Sequence, residues 1–462
     1  MNKREFLAMG GALPLMLAGC GGSGSGNAPV RLINASVGYP GALGFMDEST
    51  QITSGITYGN ASSYFNVEAG SVHLTLTTTI AGSETSATAA QLRTVNKDQR
   101  YSLVAYGILD QLRLALVAES NTTPDAGTAS VNVLNTSADI GAVDVYLSTT
   151  KDLSVSTQIA SNVAATTTSP SQSPFATDIQ PGSYYVTVVG AGSIARNVSD
   201  VRFQSPAPVT LTALQVLTII LTPGTSGVLA NAILLTQGTQ GTAVSYLNTT
   251  ARARAVTAVP GRSTSVIGAT AAGTAVTVLS SNTTPKVSNY FVVATGAAPT
   301  VTVNGATIPV VMDSTNTSTG VVTQVPASLL AGGDYTIMVY LDGSGNPIAK
   351  MIEDDNTAPI SAAGVKFRLV NLASDNQGLQ LSMYVNGSSI QPLNIPYGAA
   401  SNYTEVPNIP QSTDSTVDIN DGAALLNERK LVIPLGNIFT DFVVSVASNG
   451  TAQAFLQPTS GS

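Results

Sequence analysis

The sequence predicts an all-β chain of tandem β-sandwich domains, and three observations predict it. Val, Thr, Ser, Ala and Gly dominate a chain that is 43% hydrophobic and only 10% charged. Val and Thr suit a pleated, half-buried surface, and Gly, Asn, Asp and Pro serve turns. Short segments alternate apolar and polar residues, with little sustained helical periodicity. One phrase returns at domain-sized intervals, and 462 residues suit about three or four domains.

The recurring phrase is Val30-Arg31-Leu32-Ile33-Asn34-Ala35-Ser36. It returns as Val131-Asn132-Val133-Leu134-Asn135-Thr136-Ser137, as Val244-Ser245-Tyr246-Leu247-Asn248-Thr249-Thr250, and as Phe367-Arg368-Leu369-Val370-Asn371-Leu372-Ala373-Ser374. The intervals between the Asn residues are 101, 113 and 123 residues, each the size of one domain. Tyr58-Gly59-Asn60-Ala61-Ser62-Ser63-Tyr64 matches Tyr397-Gly398-Ala399-Ala400-Ser401-Asn402-Tyr403. Polar stretches containing Pro, Glu119–Pro124 and Glu353–Pro359, mark joints.

Individual strands can be read between these marks. Val72, Leu74 and Leu76 share one face of an alternating strand, with His73 and the threonines on the other. Tyr335–Tyr340 runs into Asp342-Gly343-Ser344-Gly345, a tight-hairpin signal. The apolar Leu211–Leu221 stretch is too short and Thr-rich to span a bilayer and reads as core strands. Tyr184 and Tyr335 each follow a Gly-containing turn, an entry that resembles the tyrosine corner of Ig-like sandwiches. The sandwiches are therefore expected to be Ig-like.

The first twenty residues carry a basic start at Lys3 and Arg4, an apolar run from Phe6 to Leu17, and then small residues. This is a secretion-signal pattern, with an apolar run about half as long as a stable membrane span. Leu17-Ala18-Gly19-Cys20 resembles the lipobox of bacterial lipoproteins. The resemblance implies diacylglycerol on the Cys20 thiol and cleavage before it. Gly21 to Asn27 then forms a flexible Gly/Ser-rich tether. Asn2-Lys3-Arg4-Glu5-Phe6-Leu7 resembles a degenerate twin-arginine export signal, and Gly21 after the Cys favours the outer membrane of a two-membrane host. Cys20 is the only cysteine, so there is no intrachain disulfide and no Cys-based zinc site.

The V-R-x-[IV]-N-A-S opening, the Tyr-Gly-x-Ala-Ser phrase and the lipoprotein context together resemble the bacterial Domain of Unknown Function 4397. Its S-P-D-A-P-A-V-D-V-Y continuation is best kept as Ser137–Tyr146. The resemblance implies exported, repeated β-rich domains and no particular activity. The expected organisation is a signal peptide at 1–19, a tether at 20–28, and sandwich repeats at 29–126, 127–242, 243–360 and 361–462. The third repeat diverges most.

The chemistry readable from the residues is sparse. A formal charge of −8 repels nucleic acid. His73 is the only histidine and lies on a polar strand face, so Ser-His or Cys-His catalysis lacks its base. Glu353–Asn356 and Asp342–Asn346 could attract a hard cation, but neither presents a complete EF-hand loop. Neither a catalytic residue, a metal site nor a cofactor is expected. Tyr58, Tyr64, Tyr397 and Tyr403 are read as core or corner residues ahead of sugar platforms. Asn34, Asn135, Asn248 and Asn371 are read as side chains capping strand ends. The expectation is a non-enzymatic interaction or structural module in the cell envelope, partnered by membrane lipid through acylated Cys20 and by an envelope protein or glycan. A glycan-binding module and a carboxylate-dependent hydrolase are the alternatives.

Overall fold

The computed structural model describes residues 26–458, apart from 38, 40, 81–82, 108–111, 166–169, 193–200, 226, 239–241, 316–319, 362, 411–412, 423 and 448–450. Cys20, the signal segment and most of the tether lie outside the described residues.

The described chain is all-β and folds as successive two-sheet sandwiches. In the first, β1 (Asn27–Asn34), β4 (Phe65–Glu68), β8 (Tyr101–Tyr106) and β9 (Arg113–Ala118) form one sheet in the order β4-β1-β8-β9. The facing sheet has the order β3-β2-β5, from β2 (Leu43–Asp47), β3 (Thr50–Ile56) and β5 (Gly70–Ile80). Two short strands, β6 (Ser83–Ser86) and β7 (Gln91–Val95), close its edge on successive stretches of β5. β1 runs parallel to β8, with Val30 opposite Tyr101 and Asn34 opposite Ala105. An Ig constant domain orders its strands A-B-E-D against C-F-G. Here the first strand pairs instead with the fourth and with the strand that opens the closing hairpin.

The same order recurs three times. Ala129–Asn135 is parallel to Val216–Pro223, Thr250–Thr257 to Asp334–Leu341, and Val365–Asn371 to Ile438–Val446. The strand Ala243–Tyr246, assigned from the sequence to the third repeat, pairs with Ala230–Thr236 and so extends the second domain's sheet. The third domain adds a hairpin, Val310–Thr315 with Val322–Pro326, to the edge of its own first sheet.

Alternation places Val30 and Leu32 in the sandwich core with Phe45, Leu74, Leu76 and Leu103. Arg31 and Ile33 point the other way, yet both are fully buried. Their cover is the second domain: Ile33, Ala35 and Val104 pack with Leu134, Ile220, Ile233 and Leu235. The third and fourth domains repeat the arrangement, with Val256 and Met338 against Val370, Leu372, Phe442 and Val444. The chain is therefore two back-to-back pairs, 1·2 and 3·4, joined through the sheets that hold the parallel strands. Strands buried on both faces read as continuous apolar runs. This explains Val216–Pro223 and Ala230–Thr236, in which nearly every residue is buried. Each large aliphatic side chain withdrawn there contributes about 1.5–3 kcal/mol.

Both tyrosine entries exist but belong to different strands. The Tyr335 hydroxyl accepts the Leu330 N–H at 3.1 Å, as the Tyr101 hydroxyl accepts that of Asn96 at 3.0 Å. Tyr184 opens Gly182–Gly190 and donates to the Gln180 carbonyl at 2.9 Å.

Candidate functional site: buried clasps between paired domains

Register assigns equivalent positions across the four sandwiches. Arg31, Asn132, Arg254 and Arg368 occupy one outward position on the first strand. Opposite them on the parallel neighbour stand Ser102, Thr218, Thr336 and Thr440. The end of the last hairpin strand supplies Glu119, Gln237 and Asp354 beside these pairs.

In the 1·2 pair, the Arg31 guanidinium lies 2.8 Å from Glu119 Oε1 and donates across the interface to the Thr236 carbonyl at 3.3 Å. Ser102 Oγ and the Tyr64 hydroxyl also donate to Glu119, at 2.6 and 2.5 Å. The Tyr64 ring covers the guanidinium, with its centroid 4.7 Å from Cζ. In the second domain the same positions are uncharged: Gln237 Nε2 donates to Thr218 Oγ1, which donates to Asn132 Oδ1, both at 2.8 Å.

The 3·4 clasp is denser. Asp354, fully buried, accepts from Tyr290 at 2.6 Å, Thr336 at 2.5 Å and, from the fourth domain, Arg368 at 2.6 Å. Arg254 lies 3.7 Å from the same carboxylate and donates to Thr440 Oγ1 of the fourth domain at 2.8 Å. Arg252 pairs with Asp334 through two hydrogen bonds of 2.8 and 2.5 Å. Asn356 ties the halves together by donating to Asp334 at 2.8 Å and to the Tyr290 hydroxyl at 3.0 Å. Tyr290 and Phe442 rings cover Arg254, each centroid under 5 Å from Cζ. Burial, the largest influence, lowers the Arg252 pKa, but the charge and hydrogen bonds of Asp334 together with Tyr290 outweigh it and the net shift is upward. Burial holds the Tyr290 phenol well above its ordinary range, so it stays a neutral donor. Guanidinium suits this role because its planar fork matches carboxylates and it stacks on rings.

The residues singled out from sequence sit around these clasps. Asn34, Asn135 and Asn371 each accept, through Oδ1, the N–H two residues ahead. Their amides donate to carbonyls of the facing sheet's strands or loops, as from Asn371 to Leu379 and Ile395 at 3.1 and 2.9 Å. They fasten the exit of the first strand.

Asn248 does not occupy that position. Ala253 faces Tyr335 as Val30 faces Tyr101, which puts Thr257 where the other domains have Asn, bonded to Thr264 Oγ1 at 3.0 Å. Asn248 instead lies in the connector, donating to the Arg202 and Ala230 carbonyls of the second domain at 2.8 and 3.0 Å. The repeated phrase misled because Asn248 makes the same local turn, accepting the Thr250 N–H at 2.9 Å. A two-residue turn is legible in sequence, whereas strand register is not.

Tyr58 and Tyr397 bridge the pairs. The Tyr58 hydroxyl bonds Thr222 of the second domain at 2.8 Å, and that of Tyr397 donates to the Leu341 carbonyl of the third at 2.6 Å. Tyr397 meets Tyr340 edge-on at 5.4 Å, and burial pushes the Tyr340 phenol up to about 12. Tyr403 lies beneath the Arg368 guanidinium and bonds Thr440 at 3.1 Å. No face of these rings that Arg31, Arg368 or Tyr340 covers is open to a sugar.

Sequence reading missed the burial of the arginines and the role of four serines, one in each unit. Ser62, Ser173, Ser288 and Ser401 each accept, through Oγ, the N–H of Leu32, Val133, Ala255 and Leu369, at 2.9 to 3.0 Å. Each precedes an aromatic residue by two positions: Tyr64, Phe175, Tyr290 and Tyr403. The same spacing also occurs at Ser63, Ser183 and Ser382, so only the assembled sheet singles out these four serines. Ser288→Ala is expected to destabilise the third domain by about 1–3 kcal/mol, since it leaves the Ala255 N–H without that acceptor. Chemical denaturation checks this, and an unchanged midpoint would remove the serine from the motif.

The remaining candidates are committed elsewhere. His73 is exposed on the strand face opposite Val72 and Leu74. Asp342 accepts the Ser344 and Asn346 N–H groups at 2.8 Å, which close the hairpin, and the Asn346 bond lowers its pKa. Asp355 pairs with Lys366 at 3.1 Å. Among the described residues no three His, Cys, Asp or Glu side chains gather as a metal site, and no helix is long and apolar enough to cross a membrane.

No curated protein matches the chain. A family model, Domain of unknown function (DUF4397), matches residues 28–146. The match begins in β1, spans the first sandwich and ends in the second strand of the second, Val143–Ser148. The first sandwich and the opening of the second are accordingly a DUF4397 domain.

Proposed function

We propose that this chain is an extracytoplasmic lipoprotein, anchored by acyl chains on Cys20 and acting as a non-enzymatic interaction or structural module. The observation that carries the structural half is the pairing of domains through apolar, arginine-clasped sheet faces, which joins four sandwiches into two blocks. The shared strand order and the four Ser-x-aromatic motifs support reading every unit as a copy of the DUF4397 module. Glu119, Asp334 and Asp354 are matched to guanidinium groups, which argues against carboxylate hydrolysis at the most buried acids. The anchored half rests on the lipobox and the Gly/Ser tether, and in a two-membrane host the outer membrane is its expected home.

Replacing Cys20→Ser tests it. The native chain is expected in the membrane fraction with an added lipid mass, and the variant in the soluble fraction without it, because each buried methylene contributes about 0.8 kcal/mol to anchoring. Identical mass and fractionation of the two chains would end the lipoprotein reading.

A further inference from the structure

A pocket of about 490 Å³ opens at the junction of the first and second domains, beside the 1·2 clasp. Arg100 of the first domain, the Ser120–Pro124 connector and the second domain's Thr212–Gln215 turn form its walls. The chain carries 27 acidic and 19 basic residues, yet this pocket is lined by one arginine and no carboxylate. Arg100 is half-buried in the wall, its Nε sealed and without a hydrogen-bond partner among the described residues, so a ligand would meet the remaining nitrogens of the guanidinium fork. A buried donor left unmet is costly, and a carboxylate is the acceptor a guanidinium fork fits best.

A second, independent observation lies at the lip. Leu214 has φ of 65° and the residue is 52% exposed. A bulky residue in the left-handed region is strained, and such strain persists only where surrounding bonds impose it. Here the Leu214 N–H donates to the Thr128 carbonyl at 2.7 Å, and Gln215 Oε1 accepts the Thr212 N–H at 2.8 Å. Leu214 thus presents an exposed aliphatic side chain in a pocket otherwise lined largely by hydroxyl and amide side chains.

We propose that this pocket binds an acidic sugar residue of a glycan. The three surfaces match the three parts of a uronic acid: carboxylate on Arg100, the apolar C–H face of the ring on Leu214, and ring hydroxyls on the threonine and asparagine side chains. A peptide carboxyl terminus would meet the polar wall with one N–H and one C=O per residue, whereas a uronate ring brings several hydroxyls to it at once. The proposal deepens the interaction-module reading by naming its ligand class, and it rests on that reading.

The experiment is calorimetric titration of the full chain with trimers of galacturonate and of mannuronate, their neutral methyl esters, and an N-acetylated tripeptide with a free carboxylate. One uronate trimer is expected to bind at least tenfold more tightly than its ester and than the peptide. Arg100→Gln should weaken that trimer at least tenfold and leave the ester unchanged, with Arg100→Lys between. Leu214→Gly should weaken the trimer several-fold while raising the unfolding midpoint, because glycine relieves the strained φ. Absence of binding by both trimers at millimolar concentration, equal binding of trimer and ester by the native chain, or tighter binding of the peptide would overturn the assignment. The ester comparison needs no variant, so it decides even if Arg100→Gln misfolds. None of these outcomes touches the Cys20 fractionation result, so failure of the pocket and failure of the anchored-module reading are distinguishable.

Discussion

Asp354→Ala is expected to lower the stability of the 3·4 pair by about 3–5 kcal/mol, the range found when a buried ion pair loses one partner. Asp354 accepts from Arg368, Tyr290 and Thr336 and lies beside Arg254, so its removal strands two guanidinium groups on a sealed interface. For a unit of about 200 residues this corresponds to a fall of about 6–20 °C in the midpoint. Because the carboxylate belongs to the third domain and Arg368 to the fourth, both domains should shift together in a calorimetric scan, while the transition of the 1·2 pair stays in place. A shift under about 1 kcal/mol, or one confined to the third domain, would show that the clasp does not couple them.

Glu119→Ala is expected to do the same to the 1·2 pair, again by about 3–5 kcal/mol, but with a different rescue. Glu119 serves one guanidinium, Arg31. The double replacement Arg31→Met with Glu119→Leu should therefore recover part of the loss, since it removes the stranded guanidinium while leaving the Tyr64 and Ser102 hydroxyls without Glu119 as acceptor. No comparable pair of changes relieves the 3·4 clasp, because Asp354 is shared by Arg254 and Arg368. If the double variant were no more stable than Glu119→Ala, the ion pair would not be the element that holds this interface. Calorimetry on the two variants, read beside Asp354→Ala, also counts the cooperative units. Two transitions that respond separately are expected.

Much of the strand content was legible. Val72, Leu74 and Leu76 face the core as alternation required, and the Asp342 turn joins Asp334–Leu341 to Pro347–Asp354. Asn34, Asn135 and Asn371 lie at equivalent strand ends with the local turn expected of them. What failed was register. Asn248 makes the same turn in the connector, and the Ala243–Tyr246 strand beside it belongs to the preceding sheet. Local hydrogen bonds over two residues leave a sequence trace, whereas the pairing of Ala253 with Tyr335, 82 residues away, depends on the assembled sheet.

Composition, alternation and a single cysteine already require that this protein is built from β-strands and holds no intrachain disulfide, since these are properties of the chain. The back-to-back stance of the units and the burial of Arg31, Arg254 and Arg368 arise only once the chain has folded. An arginine on the polar side of an alternating strand reads as solvated until a second sheet covers that side. The partners that make its burial tolerable, Glu119 for Arg31 and Asp354 for Arg368, come from strands distant in the chain that meet only when the domains pair.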